Sequence, residues 1–470
     1  MSRPTWRTSA VESAPEPHAR RPAPSSVITS SRLHYQPTPP RNALQRLDHL
    51  TIPALIGLAA SLGLGDLAQV SLATTLALDA VHALLPVVIL LAFFNALRTR
   101  AWSRFPRTIA IPIAVWFSLL VASALTASSH RSEAIAALER PAGGALLAWV
   151  VCVTCNTEHR WRRVLQALAF GGLGLALIAV AEAARIPTVV DWLAAVHDGS
   201  IPIGDVPRVA ATLSHPNETA MLLELALPLL IACAWAAGAR WRLPLAVGAL
   251  VTLLAIGLTF SRAGIVSALA ALGVLTSVCL ARGAPRHLVV LGVVVLALPL
   301  AVGWATLMDP GLDRRLLAGI DESSVEQPSR TQFWSVAIDM LQDHPLLGVG
   351  PDNFRWLFAS YSGIQADNLG IHAHDQYLET LADTGVLGFL AFLWLLIVVT
   401  RGAIQGALRT NDTWLWRTAL LASLTAWLVH AVLDDFERFW PTSIAFWLIV
   451  GLIACRPSAR DHSDYRLNSQ

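Results

Sequence analysis

Long apolar runs separated by short polar links make up most of the chain between residues 50 and 455. An α-helix needs about 20 apolar residues to cross the hydrocarbon core of a bilayer, and on that measure the pattern predicts about twelve transmembrane helices. The predicted spans are 50–70, 79–97, 108–127, 141–157, 163–184, 216–236, 242–260, 263–281, 286–306, 376–399, 414–433 and 439–455. The pattern therefore predicts an all-α, polytopic membrane protein.

The composition agrees with this fold class and excludes an ordinary soluble domain. Hydrophobic residues make up 54% of the chain and charged residues 14%, whereas soluble domains carry about 25% charged residues. The five cysteines fall in or beside apolar runs, so they indicate no disulfide framework. Cys152 and Cys155 form a CxxC pair without a second ligand pair, and we interpret them as small packing residues.

Polar segments divide the chain into five parts. Residues 1–48 are rich in Pro, Arg and Ser and contain no apolar core, which predicts a disordered tail rather than a secretory signal. Nine predicted spans occupy 49–306 and three occupy 376–455, and a second tail covers 456–470. Between the two groups of spans lies a large polar loop, 307–375, in which an amphipathic helix is predicted over about 329–342.

Arginine placement predicts the orientation of the chain. With both termini in the cytoplasm, the inside loops hold 14 arginines and the short outside loops hold 6. This asymmetry follows the positive-inside rule. The large loop is therefore expected outside, on the periplasmic face of a bacterial inner membrane, together with Arg208 and Arg262.

Two of these outside arginines need an explanation beyond the orientation of the chain. Arg262, in LTFSRAGIVSAL, lies in a tight turn close to the hydrocarbon of the bilayer. A charged side chain costs ~2.5–3.5 kcal/mol at the centre of a membrane helix and less near the interface. Arg262 is either an arginine that reaches the interface or an anion-binding group aided by the next helix N-terminus. Arg208 precedes the segment SHPNE, in which Ser214 or Asn217 is a candidate N-cap.

The large loop holds the remaining candidate chemistry. Arg330 and Trp334 are four residues apart on one face of the amphipathic helix, and the following DHPLLGVGPDNF predicts a rigid turn. Of the pair His372 and His374, His374 opens the next helix and suits a general base or a phosphate donor. They could also ligate a metal with carboxylates from the same face, or be a solvated pair. Those carboxylates belong to Asp434, Asp435 and Glu437.

These residues together carry a family resemblance. The ordered set SRAG, SRxxxW, HPLLGVGPDNF and HAHDQYLETLADTGVLG resembles the superfamily of O-antigen ligases and O-antigen polymerases over about residues 200–400. The superfamily includes lipopolysaccharide ligases, Wzy-type polymerases and protein O-oligosaccharyltransferases. One departure concerns the histidine, because many members have HN where this chain has His374-Asp375.

The resemblance implies a membrane-embedded glycosyltransferase whose donor is a glycan on undecaprenyl diphosphate, working without a cofactor or a metal. It assigns Arg262 and Arg330 to the diphosphate and His374 to catalysis. Further contacts to substrate are expected from Arg208, His372, Arg355, Trp334 and Tyr377. Either His372 or His374 is the reactive histidine, and the resemblance favours His374.

Several acceptors fit the same donor chemistry. The leading hypothesis is an O-antigen ligase that joins the glycan to lipid A–core. A polymerase that extends a lipid-linked chain and an enzyme that glycosylates protein are the alternatives. A solute transporter is a fourth interpretation, with Glu182 and Glu224 as the nearest candidates for intramembrane carboxylates.

Overall fold

The structure is a computed structural model, and it describes most of the chain between residues 43 and 458. The described ranges are 43–64, 70–73, 76–78, 80–194, 202–203, 206–283, 330–364, 371–409 and 411–458. The predicted span 286–306, the first part of the large loop and nearly all of both predicted tails lie outside these ranges.

The described part of the chain is helical apart from two short antiparallel strand pairs. Its α-helices are α1 Ala43–Ser61, α2 Ala80–Thr99, α3 Arg107–Thr126, α4 Arg131–Ala137, α5 Glu139–Thr154, α6 Glu158–Ala183, α7 Pro187–Ala194, α8 Pro216–Ala236, α9 Ala239–Leu258, α10 Arg262–Ala281, α11 Arg330–Asp343, α12 Phe354–Ser362, α13 Gln376–Ala407, α14 Trp414–His430 and α15 Trp440–Ala454. The strands pair β1 Val70–Ala73 with β2 Leu76–Leu78, and β3 Pro202–Ile203 with β4 Val206–Pro207.

Length and apolarity confirm a polytopic membrane protein. Eight helical stretches in the described residues are long and apolar enough to cross a membrane: α2, α3, α4 with α5, α6, α8, α9, α10 and α13. Leu50–Leu64 and Trp440–Ala454 are shorter apolar helices. The predicted total of twelve spans stays a prediction, because the span at 286–306 lies outside the described residues.

The first predicted span has different bounds in the structure. Helix α1 begins at Ala43, inside the segment predicted as a tail, and ends at Ser61 rather than near residue 70. A glycine-rich run, SLGLGD, follows, and glycine is a poor helix former. The chain then enters the β1–β2 hairpin, so apolarity alone overestimated how far this helix extends.

Helices α8, α14 and α15 form the interior of the bundle. Almost every residue of the three is buried, which fits their apolar character on all sides. Helix α14 packs against α8, α10 and α13, and α15 packs against α5. The polar residues that follow α14 therefore emerge from the centre of the bundle.

The predicted rigid turn in the large loop is confirmed, and it is bonded to a kink in α13. The kink lies at Gly385, which has φ 64°, and Gly348 in the turn has φ 71°. Four backbone hydrogen bonds join the two segments: Val349 N to Ala382 O, Gly350 N to Asp383 O, Val386 N to Pro345 O and Leu387 N to Leu346 O. The turn thus takes up backbone groups that the interrupted helix cannot satisfy.

Helices α11 and α12 share a small hydrophobic core of their own. The predicted helix over 329–342 is confirmed as α11, and its apolar face is buried. That face comprises Phe333, Val336, Ala337 and Met340, and it packs with Phe354, Phe358, Ile371 and Ala373. Because Ala373 belongs to this core, α11 and α12 support the segment that carries both histidines.

Candidate functional site

A single carboxylate, Asp434, organises the candidate site. It lies in the loop between α14 and α15 and is 4% exposed. Its Oδ1 lies 2.9 Å from His372 Nε2 and 3.3 Å from His374 Nδ1, and it also accepts from the backbone N–H of Asp435. Its Oδ2 accepts from Asn217 Nδ2 at 2.6 Å. The two imidazole rings lie against each other at an interplanar angle of 46°, with centroids 3.9 Å apart.

The N-terminus of α8 supplies the second part of the site, and the prediction of its cap was wrong. The N-cap is His215, whose Nδ1 accepts from the backbone N–H of Asn217 at 3.1 Å. Pro216 takes the first helical position, where a missing N–H has no consequence, so Asn217 lies within the helix. The amide of Asn217 is consequently available to join Arg208 and Asp434.

The histidine segment is fixed from both sides. Glu379 accepts from the backbone N–H of Ala373, and Trp334 Nε1 donates to the carbonyl oxygen of Ala373 at 3.1 Å. His374 has φ 48°, a left-handed conformation that costs about 1–3 kcal/mol and persists only when its surroundings hold it. Asp375 then caps α13 by accepting from the N–H groups of Tyr377 and Leu378.

This arrangement explains the departure from the family pattern at His374-Asp375. Asp375 is occupied as a helix cap, and the histidine finds its carboxylate partner about 60 residues further along the chain, at Asp434. Because a donor at Nδ1 leaves the other ring nitrogen with a lone pair, an Nδ1–H bond to Asp434 would make His374 Nε2 a base.

The ionisation states of Asp434 and His374 favour Nε2 of His374 as the base. Burial alone would raise the pKa of Asp434, but hydrogen bonds from His372 and His374 hold it well below its ordinary value. The pKa of His374 is lowered, first by burial and then by the charge of His372, while Asp434 opposes the shift. A carboxylate that stays ionised beside a histidine that stays neutral is the state that general-base chemistry requires at neutral pH.

The three predicted arginines Arg208, Arg262 and Arg330 lie near enough to one another for their charges to interact. Arg208 Nε donates to Thr259 O at 2.9 Å and Arg208 NH2 to Asn217 Oδ1 at 2.7 Å. The pKa of Arg208 is lowered to about 10, first by burial and then, against the pull of Asp434, by the charges of Arg262 and Arg330. Arg330 also lowers the pKa of His374. Mutual repulsion among guanidinium groups marks a site that an anion would stabilise.

Arg262 and Arg330 are each the first residue of a helix, α10 and α11 respectively. N–H groups in a helix's first turn have no intrahelical partner and attract anions. Ser261 caps α10 through the N–H of Gly264. The positive ends of these two helices would favour an anion bound beside Arg262 and Arg330.

Three other predicted contact residues have internal roles. Arg355 NH2 binds Asp352 at 2.6 Å, in a separate cluster with Arg140 and Arg438. The hydroxyl of Tyr377 donates to Leu428 O at 2.9 Å. Trp334 supports Ala373 as described above, and it lies one helical turn from Arg330 on α11.

His372, His374 and Asp434 could in principle share a metal ion. Their ligand atoms all lie within 4.8 Å of one another. A metal here would displace the hydrogen bonds that Asp434 makes to both imidazoles, and it would stand close to three arginines. Two histidines and a carboxylate are also a common set of metal ligands, and it is the arginine charges acting on this site that favour a hydrogen-bonded base over a cation.

The sequence did not identify three members of the site. Asn217 was interpreted as a cap, His215 only as part of a helix start, and Asp434 only as a possible metal ligand. His215 holds Nδ1 as an acceptor, and its pKa is lowered to about 4, first by burial. It is therefore a neutral imidazole with its proton on Nε2. The signal available in the sequence was the polar cluster SHPNE between two apolar runs.

The two candidate intramembrane carboxylates are both paired. Glu182 accepts from the N–H of Ala211 at 2.7 Å. Glu224 lies 2.9 Å from His430 Nδ1, and neither side chain of that pair is exposed. Both carboxylates therefore tie elements of the bundle together.

Comparison with known proteins gives one family match. Residues 221–393 match the family model described as O-antigen ligase, Wzy_C. The match confirms the resemblance seen in the sequence, and it includes Arg262, Arg330, His372 and His374. No curated protein matches the chain. Together with the helices, the match supports a multi-pass membrane glycan transferase of the O-antigen ligase and polymerase type.

Proposed function

We propose that this chain of the O-antigen ligase family transfers a glycan from undecaprenyl diphosphate to an acceptor hydroxyl on the periplasmic face of the inner membrane. The observation that carries the proposal is the pairing of two opposite features in one place. Arg208, Arg262 and Arg330 form a cationic group, and beside it a neutral His374 is held by Asp434.

The arginines bind the diphosphate of the donor. Guanidinium groups hold phosphate oxygens through paired, charge-assisted hydrogen bonds. As the bond between the anomeric carbon and the diphosphate breaks, its electron pair passes to a phosphate oxygen. The three arginines stabilise that developing negative charge, in the role a divalent cation has in other glycosyl transfers.

His374 takes the proton from the acceptor. Its Nε2 removes the hydroxyl proton while the hydroxyl oxygen forms the new bond to the anomeric carbon. Asp434 orients the ring and stabilises the imidazolium that results, and His372 shares the same carboxylate. Direct displacement inverts the anomeric centre, and undecaprenyl diphosphate leaves. The reaction needs no cofactor and no metal.

Lipid A–core is the leading acceptor, because ligase is the description of the matched family. A growing lipid-linked glycan or a protein hydroxyl would use the same arginines and the same base. Transport is less favoured, because Glu182 and Glu224 are each engaged with a partner inside the bundle.

Two experiments test the proposal. Arg330→Ala and His374→Ala should each abolish glycan transfer in cells while the protein stays in the membrane, and normal transfer in either variant would contradict the site. A deletion strain then separates the acceptors. Lipid A–core without polymer, with long lipid-linked chains accumulating, indicates a ligase, whereas a core capped by one repeat unit indicates a polymerase.

A further inference from the structure

Asn217 joins the cationic and the basic parts of the candidate site through one amide group. Its Oδ1 accepts from Arg208 NH2 at 2.7 Å, and its Nδ2 donates to Asp434 Oδ2 at 2.6 Å. The residue is 8% exposed. Arginine only donates hydrogen bonds and an ionised carboxylate only accepts them, and the amide offers one atom to each. The orientation of the amide is thereby fixed, because a reversed amide would point its N–H groups at the N–H groups of Arg208.

The link between Arg208 and Asn217 is anchored at both ends. His215 Nδ1 accepts from the backbone N–H of Asn217 at 3.1 Å, at the start of α8. Arg208 is fixed separately, because its Nε donates to the carbonyl oxygen of Thr259 at 2.9 Å. The amide therefore meets a guanidinium group that a second hydrogen bond already holds in place.

Arg208 and Asp434 carry opposite charges, but they make no direct ion pair in the part of the chain that the structure describes. Burial lowers the pKa of Arg208 to about 10 and Asp434 opposes this shift, so the two charges act on each other. A guanidinium and a carboxylate pair readily through two parallel hydrogen bonds when they can meet. Asn217 stands between them and makes one hydrogen bond with each.

This separation leaves each charged group available for its own task. The hydrogen bonds of Arg208 use Nε and NH2, so its NH1 group has no partner among the described residues. Asp434 keeps Oδ1 for His372 and His374. A direct ion pair would occupy N–H groups of Arg208 and an oxygen of Asp434 at the same time. It would weaken the anion site and the support of the base together.

We propose that Asn217 is a positioning residue that keeps Arg208 apart from Asp434, so that the arginine stays available to a phosphate oxygen and the carboxylate stays with the histidines. The identity of that anion, the diphosphate of the donor, rests on the proposed function. One neutral amide thus separates two opposite charges that the reaction uses for different purposes.

Binding of inorganic pyrophosphate to the purified full-length protein in lipid nanodiscs, measured by isothermal titration calorimetry, tests this role. In Asn217→Ala, Arg208 should pair with Asp434, and the affinity for pyrophosphate should fall about tenfold, the worth of one charge-assisted hydrogen bond. Asp434→Asn removes the competing carboxylate. The double variant should therefore bind pyrophosphate within about twofold of Asp434→Asn alone, which makes the two substitutions non-additive.

Asn217→Asp is a second variant, and it keeps the size of the side chain. Its own carboxylate should hold Arg208, so the affinity for pyrophosphate should fall whether or not Asp434→Asn is also present. Recovery with Asp434→Asn is therefore expected for Asn217→Ala and not for Asn217→Asp.

Asn353→Ala is the matched control. Asn353 is a buried amide whose Nδ2 donates to the carbonyl oxygens of Ser129 and Val349, so its loss should affect stability and leave pyrophosphate affinity at the wild-type value. An equal loss of affinity on Asn217→Ala with and without Asp434→Asn would show a structural role only and overturn the proposal. A wild type that binds no pyrophosphate would overturn it as well.

Transfer kinetics divide the effect between KM and kcat. Asn217→Ala should raise the KM for the lipid-linked donor and lower kcat, because it disturbs both charged groups. With Asp434→Asn added, the donor KM should return towards that of the wild type while kcat stays low, and a donor KM that stays raised would contradict the proposal. If the wild type transfers no glycan, the proposed function fails, and the pyrophosphate comparison still decides the role of Asn217.

Discussion

Replacing Asp434 with Asn should disable the catalytic histidine without removing it. The carboxylate now faces His372, His374 and Asn217, and a charge-assisted hydrogen bond is worth about 1.5–3 kcal/mol. In Asp434→Asn one of these donors must face an amide N–H instead of an oxygen. Losing one such hydrogen bond in the transition state, about 1.5–3 kcal/mol, corresponds to a fall in kcat of roughly 10- to 150-fold.

The same substitution should move the pH dependence of transfer in a defined direction. Asp434 raises the pKa of His374 against the effects of burial and of His372, so its neutralisation lowers that pKa further. The acid limb of the rate profile should therefore shift to lower pH while the plateau rate falls. A purely structural role of Asp434 would reduce the amount of folded protein and leave the position of the limb unchanged.

The assay is glycan transfer by purified protein in nanodiscs, measured from pH 4.5 to 8 as kcat and KM. Asp339→Asn is the matched control, because Asp339 is exposed on α11 and loses the same charge. A kcat of Asp434→Asn within twofold of the wild type would refute the role of the carboxylate. Recovery of the lost rate on addition of Zn²⁺ or Mn²⁺ would replace the base with a metal site.

Three further predictions concern the base, the metal and the fold. For the wild type, the acid limb of the pH profile of kcat/KM should lie below pH 6.5, because burial and His372 lower the pKa of His374. An acid limb above pH 6.5 would contradict a base that is neutral at physiological pH. Excess chelator should leave the rate of transfer unchanged, and strong inhibition that Mg²⁺ or Zn²⁺ reverses would favour a metal at His372, His374 and Asp434. Gly385→Ala should lower the thermal unfolding temperature far more than Gly363→Ala. Both glycines have φ near 65–70°, but only at Gly385 would an added Cβ lie 2.4 Å from the backbone of Leu346. Equal shifts in the unfolding temperature would show that the contact between Gly385 and the turn is unimportant.

The sequence was sufficient for the parts of the fold that depend on local pattern. Apolar length predicted the membrane helices, and the spacing of Phe333, Val336 and Met340 predicted α11 with its buried face. The end of α1 and the cap of α8 were missed, because glycine content and a proline at the first helical turn decide those positions. The hydrogen bonds between the turn that contains Gly348 and the kink at Gly385 are tertiary contacts, which no local sequence pattern predicts.

The sequence indicated the arginines of the candidate site, but it did not indicate which residues bond to the histidines. Arg262 stood out because a charge is costly beside a membrane, Arg208 because no helix cap explained it, and Arg330 through the family resemblance. Asp434 lies 60 residues from His374 in the chain, and nothing in the spacing of either segment joins them. Arg355, expected to contact substrate, is bonded to Asp352 in the structure, a pairing that the sequence did not indicate.

Product stoichiometry from the purified protein tests the central claim most directly. A polyprenyl-diphosphate-linked glycan and lipid A–core would be incubated with wild type and His374→Ala, and both the transferred glycan and the released undecaprenyl diphosphate would be counted. We expect one carrier released for each glycan transferred by the wild type, and neither product above background with His374→Ala. Undiminished transfer by His374→Ala, or carrier release without transfer by the wild type, would contradict it.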